Sequence, residues 1–164
     1  HLTVKMRELW TLKGAKMRDF GLILGLFIVL AGVIAAYTYV FESERFLGFI
    51  SRRPDIWIIV MILYPILSAY PQEFIYRLFF FRRYQRIFPT TTMMIFASGL
   101  AFGLAHIVLH NMLAGVLSTL GGFIFAYTYA RTKSLMVTSI EHALYGNFIF
   151  TIGLGWYFYG GAIQ

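Results

Sequence analysis

Apolar residues in this chain are gathered into long runs, not the short alternating pieces of a soluble core. Phe20 to Phe41 is twenty-two residues without a charge, about the length needed to cross the hydrocarbon core of a bilayer as a helix. A second run begins at Ile56 and continues through Pro65 and Pro71 into Phe81, and the two prolines predict a kink or break before Gln72. Pro89 precedes a third run, Thr91 to His110, and a fourth covers Met112 to Ala130. The fifth, Leu135 to Tyr159, contains Gly146, Gly153 and Gly155 and reads as one long, tilted or kinked element. The pattern predicts an all-α, polytopic transmembrane bundle of about five spans. Along the chain it divides into a basic segment at 1–19, a first helix with its outer loop at 20–55, and a membrane domain at 56–164.

Composition agrees, with 59% hydrophobic and 13% charged residues in a chain of 164, far from the balance of a soluble domain. The first run is too long for a signal-peptide core and has no small-residue cleavage pattern after it, so it is expected to stay in the membrane. The chain opens on His1, not Met, which suggests a truncated start. With no cysteine, disulfides, thiolate catalysis and cysteine-ligated metals are excluded. The net charge of +7 does not point to nucleic acid, because the basic residues flank the apolar runs. Lys5, Arg7, Lys13, Lys16 and Arg18, then Arg82, Arg83 and Arg86, then Arg131 and Lys133 account for ten of the fourteen. The positive-inside rule puts these ten and the N-terminus in the cytoplasm, and leaves Arg45, Arg52 and Arg53 outside. The expected location is a bacterial inner membrane, with lipids and a membrane-associated protein or peptide as partners. Gly21 with Gly25, and Gly99 with Gly103, are small pairs that permit close helix approach.

A charge inside the hydrocarbon region requires a partner or a purpose. The runs hold Glu73, Arg77 and Glu141, together with His106, His110 and His142 and the amides Gln72, Asn111 and Asn147. Glu73 and Arg77 are four apart and share a helix face. If the second and third helices form a hairpin about Pro89 and Thr90, Glu73 and His106 each lie ~24 Å from the turn and meet at one depth. His142 reaches that depth only if its helix starts late or tilts. Imidazole and carboxylate from Glu73, His106, His110 and His142 are a donor set from which a zinc site could be assembled. The patterns of other intramembrane proteases are absent: no HExxH, no pair of intramembrane aspartates, no Gly-x-Ser-x-Gly.

Gln72-Glu73-Phe-Ile-Tyr-Arg77, Phe102-Gly-Leu-Ala-His106 and Glu141-His142-Ala-Leu-Tyr-Gly-Asn147 resemble, in order, the EExxxR, FxxxH and HxxxN motifs of the CPBP family. These are the CAAX-protease and bacteriocin-processing intramembrane proteases. Three motifs in order, each in an apolar span, make a specific signal over roughly residues 56–160. The resemblance implies a polar cavity within the membrane, where a glutamate activates water while histidines and an asparagine hold it or stabilise the oxyanion. Such a mechanism needs no metal, although relatives are often called metalloproteases.

The chain departs from the pattern twice. Gln72 replaces the first glutamate, and an amide cannot accept a proton from water. Asn147 follows His142 by five residues, and the position four on is Gly146. The resulting expectation is a peptidase acting on a membrane-associated peptide bond. Glu73 is its acid/base, His106 and His142 position water or the oxyanion, Arg77 orients Glu73, and Gln72, Phe102 and Asn147 support them. A catalytically silent scaffold of the same family, favoured by Gln72, and a small transporter or proton-relay subunit are the alternatives.

Overall fold

The computed structural model describes residues 9–12 and 14–158. The basic residues Lys5, Arg7 and Lys13, and the end of the fifth run at Tyr159, lie outside them. Among the described residues the chain forms helices α1 (Met17–Phe41), α2 (Gly48–Arg52), α3 (Pro54–Arg83), α4 (Thr91–Ala105), α5 (Met112–Thr132) and α6 (Leu135–Ile152), and no strand. Short 3₁₀ turns at His106–Leu109 and Leu154–Phe158 follow α4 and α6. Helices α1, α3, α4 with its 3₁₀ extension, and α5 are long and apolar enough to cross a membrane.

Helix α1 is apolar on all sides, and Leu22, Leu24, Ile28, Val29 and Val33 are exposed along it, as suits a helix whose solvent is lipid. It is tied at both ends. Asp19 accepts from the Lys16 backbone N–H at 2.9 Å and from Arg131 Nε at 3.2 Å, which joins the start of α1 to the end of α5. Past its C-terminus, Tyr157 donates to Glu42 at 2.6 Å and Leu47 N–H to the Ile152 carbonyl at 3.2 Å. Glu42 also takes Arg45 Nε at 3.0 Å, and the Tyr157 hydrogen bond, then that arginine, hold its carboxyl below the usual range.

Helix α3 does not break before Gln72. It runs through both prolines by widening into π turns at Pro65–Ala69 and Phe74–Phe79. A proline supplies no N–H and crowds the carbonyl four residues back. The wider turn absorbs this, with Tyr70 N–H bonding the Pro65 carbonyl five residues back. The Met61 carbonyl, whose usual partner would be the missing N–H of Pro65, accepts instead from Asn147 Nδ2 at 3.1 Å.

Helices α4 and α5 form a tight hairpin, capped by Thr90 and Asn111, whose side chains accept from Met93 and Ala114 N–H groups. A β-carbon at Gly99 would enter the Phe123 ring, and one at Gly103 the Thr119 side chain. Gly21 and Gly25 have open space in front of them among the described residues, so of the two small pairs it is the second that brings described helices together.

Helix α6 is the enclosed element, burying Val137, Thr138, Ser139, Glu141, His142, Tyr145, Gly146 and Phe150 against its neighbours. It ends at Ile152, short of the single element expected through Tyr159. Gly153 adopts φ +104°, and a β-carbon there would meet the Arg45 carbonyl, so both the turn and the close approach require glycine.

The ties at the two ends of α1 put the 42–47 loop and the α5–α6 turn at opposite ends of the bundle. In this cysteine-free chain, Ser43→Cys and Lys133→Cys are expected to react with a membrane-impermeant maleimide from opposite sides of a sealed vesicle. Labelling of both from one side would contradict the arrangement.

Candidate functional site

The site is built around one buried ion pair. Arg77 Nε lies 2.9 Å from Glu73 Oε2, and both side chains are fully buried. Arg77 Nη1 donates to Ser98 Oγ at 2.6 Å, and Ser98 in turn donates to the Tyr76 carbonyl at 2.7 Å. The guanidinium also lies over the Phe102 ring, 5.1 Å from its centroid. The second π turn, beginning just after Glu73, carries Arg77 toward α4. These contacts give α3 and α4 the antiparallel register expected from the turn at Pro89.

The other oxygen of Glu73 reaches α6, where Oε1 is 2.9 Å from His142 Nδ1. A carboxylate paired with arginine only accepts hydrogen bonds, so Nδ1 carries the proton and Nε2 the lone pair. That Nε2 lies 3.0 Å from the Tyr64 hydroxyl, and the imidazole is stacked on Phe125 at 4.6 Å and met edge-on by Phe102. His106 is oriented by a different acceptor, the Phe102 carbonyl 2.8 Å from its Nδ1. This assigns the His106 proton to Nδ1 as well and frees its Nε2. Phe102, 2% exposed, touches both imidazoles, Tyr76 and Arg77 and holds them in one register.

His106 and His142 both line a cavity of about 740 Å³, whose lining also includes Tyr64, Ser68, Gln72, Tyr76, Ser118 and Tyr145. The rest of its wall is mostly apolar, with Leu30, Val33 and Ile34 from α1, Ile75 from α3, Phe102 and Ala105 from α4, and further residues of α5 and α6. Gln72 Nε2 donates to Ser68 Oγ at 2.8 Å, while its Oε1 is buried without a hydrogen-bond partner among the described residues.

Not every expected residue is on this cavity. Glu73 sits behind its wall, touching it only through His142. Asn147, five residues after His142, is turned about 140° away from it and serves the Met61 carbonyl. His110 takes a left-handed turn (φ 50°) between α4 and α5 and lines a separate hollow with Asn111 and Thr119. Glu141, 1% exposed, faces a third cavity of about 310 Å³ shared with Asp19, Thr128 and Arg131. Glu73, His106, His110 and His142 do not fit a zinc ion as arranged. Both Glu73 oxygens and both His142 nitrogens are engaged, and no three His, Asp or Glu side chains converge among the described residues. Tyr64 and Ser98 were not among the expected site residues. The signals for them are faint: a glycine one turn past His142 that leaves space to be filled, and a serine one helical turn before Phe102, which the hairpin puts level with Arg77.

A helical bundle with four membrane-length helices, enclosing a chamber backed by a buried Glu–Arg pair and faced by two oriented imidazoles, is a polytopic membrane protein with an internal polar site. The chain belongs to the family of type II CAAX prenyl endopeptidase Rce1-like proteins, whose model matches residues 54–149, more than half of it. That stretch runs from the start of α3 into α6 and contains Glu73, Arg77, Phe102, His106 and His142. It agrees with the resemblance carried by the three motifs, and the protein is an integral membrane protein. Neither a curated protein nor a solved structure shows significant similarity to the chain.

Removing one partner of a buried ion pair leaves the other charge uncompensated. Arg77→Met is therefore expected to lower unfolding stability by ~3–5 kcal/mol, and Glu73→Gln with Arg77→Met by less than the sum of the two single changes. Thermal or denaturant unfolding in detergent measures both.

Proposed function

We propose that the protein is an intramembrane endopeptidase that hydrolyses a peptide bond of a membrane-associated protein or peptide, with Glu73 acting on water through His142. The observation that carries this reading is the 2.9 Å contact between Glu73 Oε1 and His142 Nδ1. Glu73 is sealed from the chamber and both its oxygens are engaged, so it is not in direct contact with water there. What it does is hold His142 in the tautomer whose Nε2 is basic and compensate the imidazolium that forms when Nε2 takes a proton. A carboxylate, an imidazole and a nucleophile in series is a recurrent solution for activating an oxygen. His106, with its proton turned to the Phe102 carbonyl, offers a second lone pair to hold the same water.

The hydrolytic step follows. His142 Nε2 takes one proton of water as the water oxygen bonds to the carbonyl carbon, and the carbonyl electrons move to its oxygen. The tetrahedral intermediate then collapses, the C–N bond breaks, and the proton on Nε2 passes to the leaving amine. Gln72 takes no proton in this scheme. Its amide lies in the chamber wall, where it can hydrogen-bond a peptide. The apolar lining from α1 and α5 suits a substrate carrying a long hydrocarbon group, as the family's description implies for its members. The same reading puts the N-terminus on the cytoplasmic face of a bacterial inner membrane.

A second reading, a catalytically silent scaffold, is favoured by Gln72 in place of a carboxylate. A fluorescence-quenched, farnesylated peptide ending in a CAAX sequence, presented in proteoliposomes, separates the two. His142→Ala and Glu73→Gln are each expected to lower cleavage by ~10²–10⁴-fold, with Gln72→Glu giving little gain. An inert native chain that gains cleavage with Gln72→Glu would show that the acid belongs at position 72. A chain inert in both forms would favour the scaffold.

A further inference from the structure

The hydroxyl of Tyr64 is given no task by the mechanism above, yet it occupies the nitrogen on which that mechanism turns. Tyr64 is the last residue of regular helix before the first π turn of α3. Its hydroxyl is 3.0 Å from His142 Nε2, and its ring is met edge-on by His142 at 6.0 Å and by Phe150 at 5.3 Å. It lines the same chamber as both histidines. Space for it comes from α6: a β-carbon on Gly146 would fall among the Tyr64 ring carbons and its hydroxyl oxygen. Gly146 is one helical turn past His142 on the same face, so a side chain there would reach the imidazole. In this chain the tyrosine of a neighbouring helix fills that place.

We infer that Tyr64 is a catalytic residue, whose hydroxyl donates a hydrogen bond to the oxyanion formed when water adds to the scissile carbonyl. The inference rests on the assignment of His142 as the base. With the His142 proton on Nδ1, Nε2 is an acceptor and Tyr64 O–H is the donor in the resting enzyme. Tyr64 makes no other hydrogen bond among the described residues, so water arriving at Nε2 displaces a hydroxyl that has nothing else to bond. The carbonyl oxygen turns negative within reach of that freed donor. No proton leaves Tyr64: the water proton goes to His142, and the phenol O–H only aligns with the new charge. A donor already in place where charge develops stabilises the transition state, and removing one such donor typically costs about 10²–10³-fold in rate.

The test uses Tyr64→Phe in the full chain, with cleavage of the farnesylated peptide in proteoliposomes. The expected result is a fall in kcat of about 10²-fold with KM within about twofold, the signature of a contact made only in the transition state. A wild-type kcat, or a loss confined to KM, would overturn it. Nitrogen-15 spectra of labelled histidine test the contact without any substrate. Tyr64→Phe should shift the His142 Nε2 resonance and leave His106 in place, and Gly146→Ala, which forces the phenol out of its space, should shift it too. An unmoved His142 signal in both variants would also overturn the inference. If His142→Ala still cleaves, the base assignment itself has failed. If His142→Ala is silent and Tyr64→Phe is unimpaired, only the role of Tyr64 is wrong.

Discussion

A guanidinium with no exposed surface inside a membrane helix is costly, by about 2.5–3.5 kcal/mol for one at a helix centre on insertion scales, and the surroundings of Arg77 offset that cost. Glu73 neutralises it, Ser98 and the Tyr76 carbonyl accept from its Nη1, and the face of Phe102 covers it, while Nη2 is buried without a hydrogen-bond partner among the described residues. Each partner comes from a defined height on α3 or α4, so satisfying one charge sets the register of two helices. The second oxygen of Glu73 then sets the height of α6 through His142. The site is in this sense a by-product of charge burial: the imidazole is held at the chamber wall because the carboxylate behind it cannot move.

Helix α3, which meets α6 at Glu73 and His142, contains two π turns, whereas α4 and α5 pack over glycines with no π turn inside them. Pro65 leaves the Met61 carbonyl without its usual donor, and Asn147 from α6 serves it. Tyr64, just before that proline, lies over Gly146. Backbone distortion, the amide that satisfies it and the hydroxyl on His142 are therefore linked through one α3–α6 interface, the kind of site where π turns are often found.

Glu73, Arg77, His106 and His142 can be picked out in the sequence because ionisable groups stand out in apolar runs, Phe102 only through its motif, and a hairpin about Pro89 matches the depths of Glu73 and His106. The helix positions follow equally well from the runs themselves. What could not be read has specific causes. Tyr64 lies among aliphatic residues with no polar neighbour, and its partner is 78 residues away. Asn147 looks like a site residue by type, but its spacing from His142 points it to another face. Proline reads as a break when turns are assumed to be α, and a π turn carries the helix through. The residues on either side of Gly153 in the fifth run are mostly apolar, so hydropathy does not mark the stop there, where the backbone turns left-handed beside the Arg45 carbonyl.

The spacing of the ion pair also has a consequence for how the chain is made. Ser98 is 21 residues downstream of Arg77, and His142 is 69 downstream of Glu73, so both leave the ribosome after the residues they bond. Glu73 and Arg77 are only four apart on the same helix. Helix α3 thus brings its own counter-charge to the bilayer and can enter lipid as a neutral unit, with the rest of the bundle assembled later around a pair that is already closed.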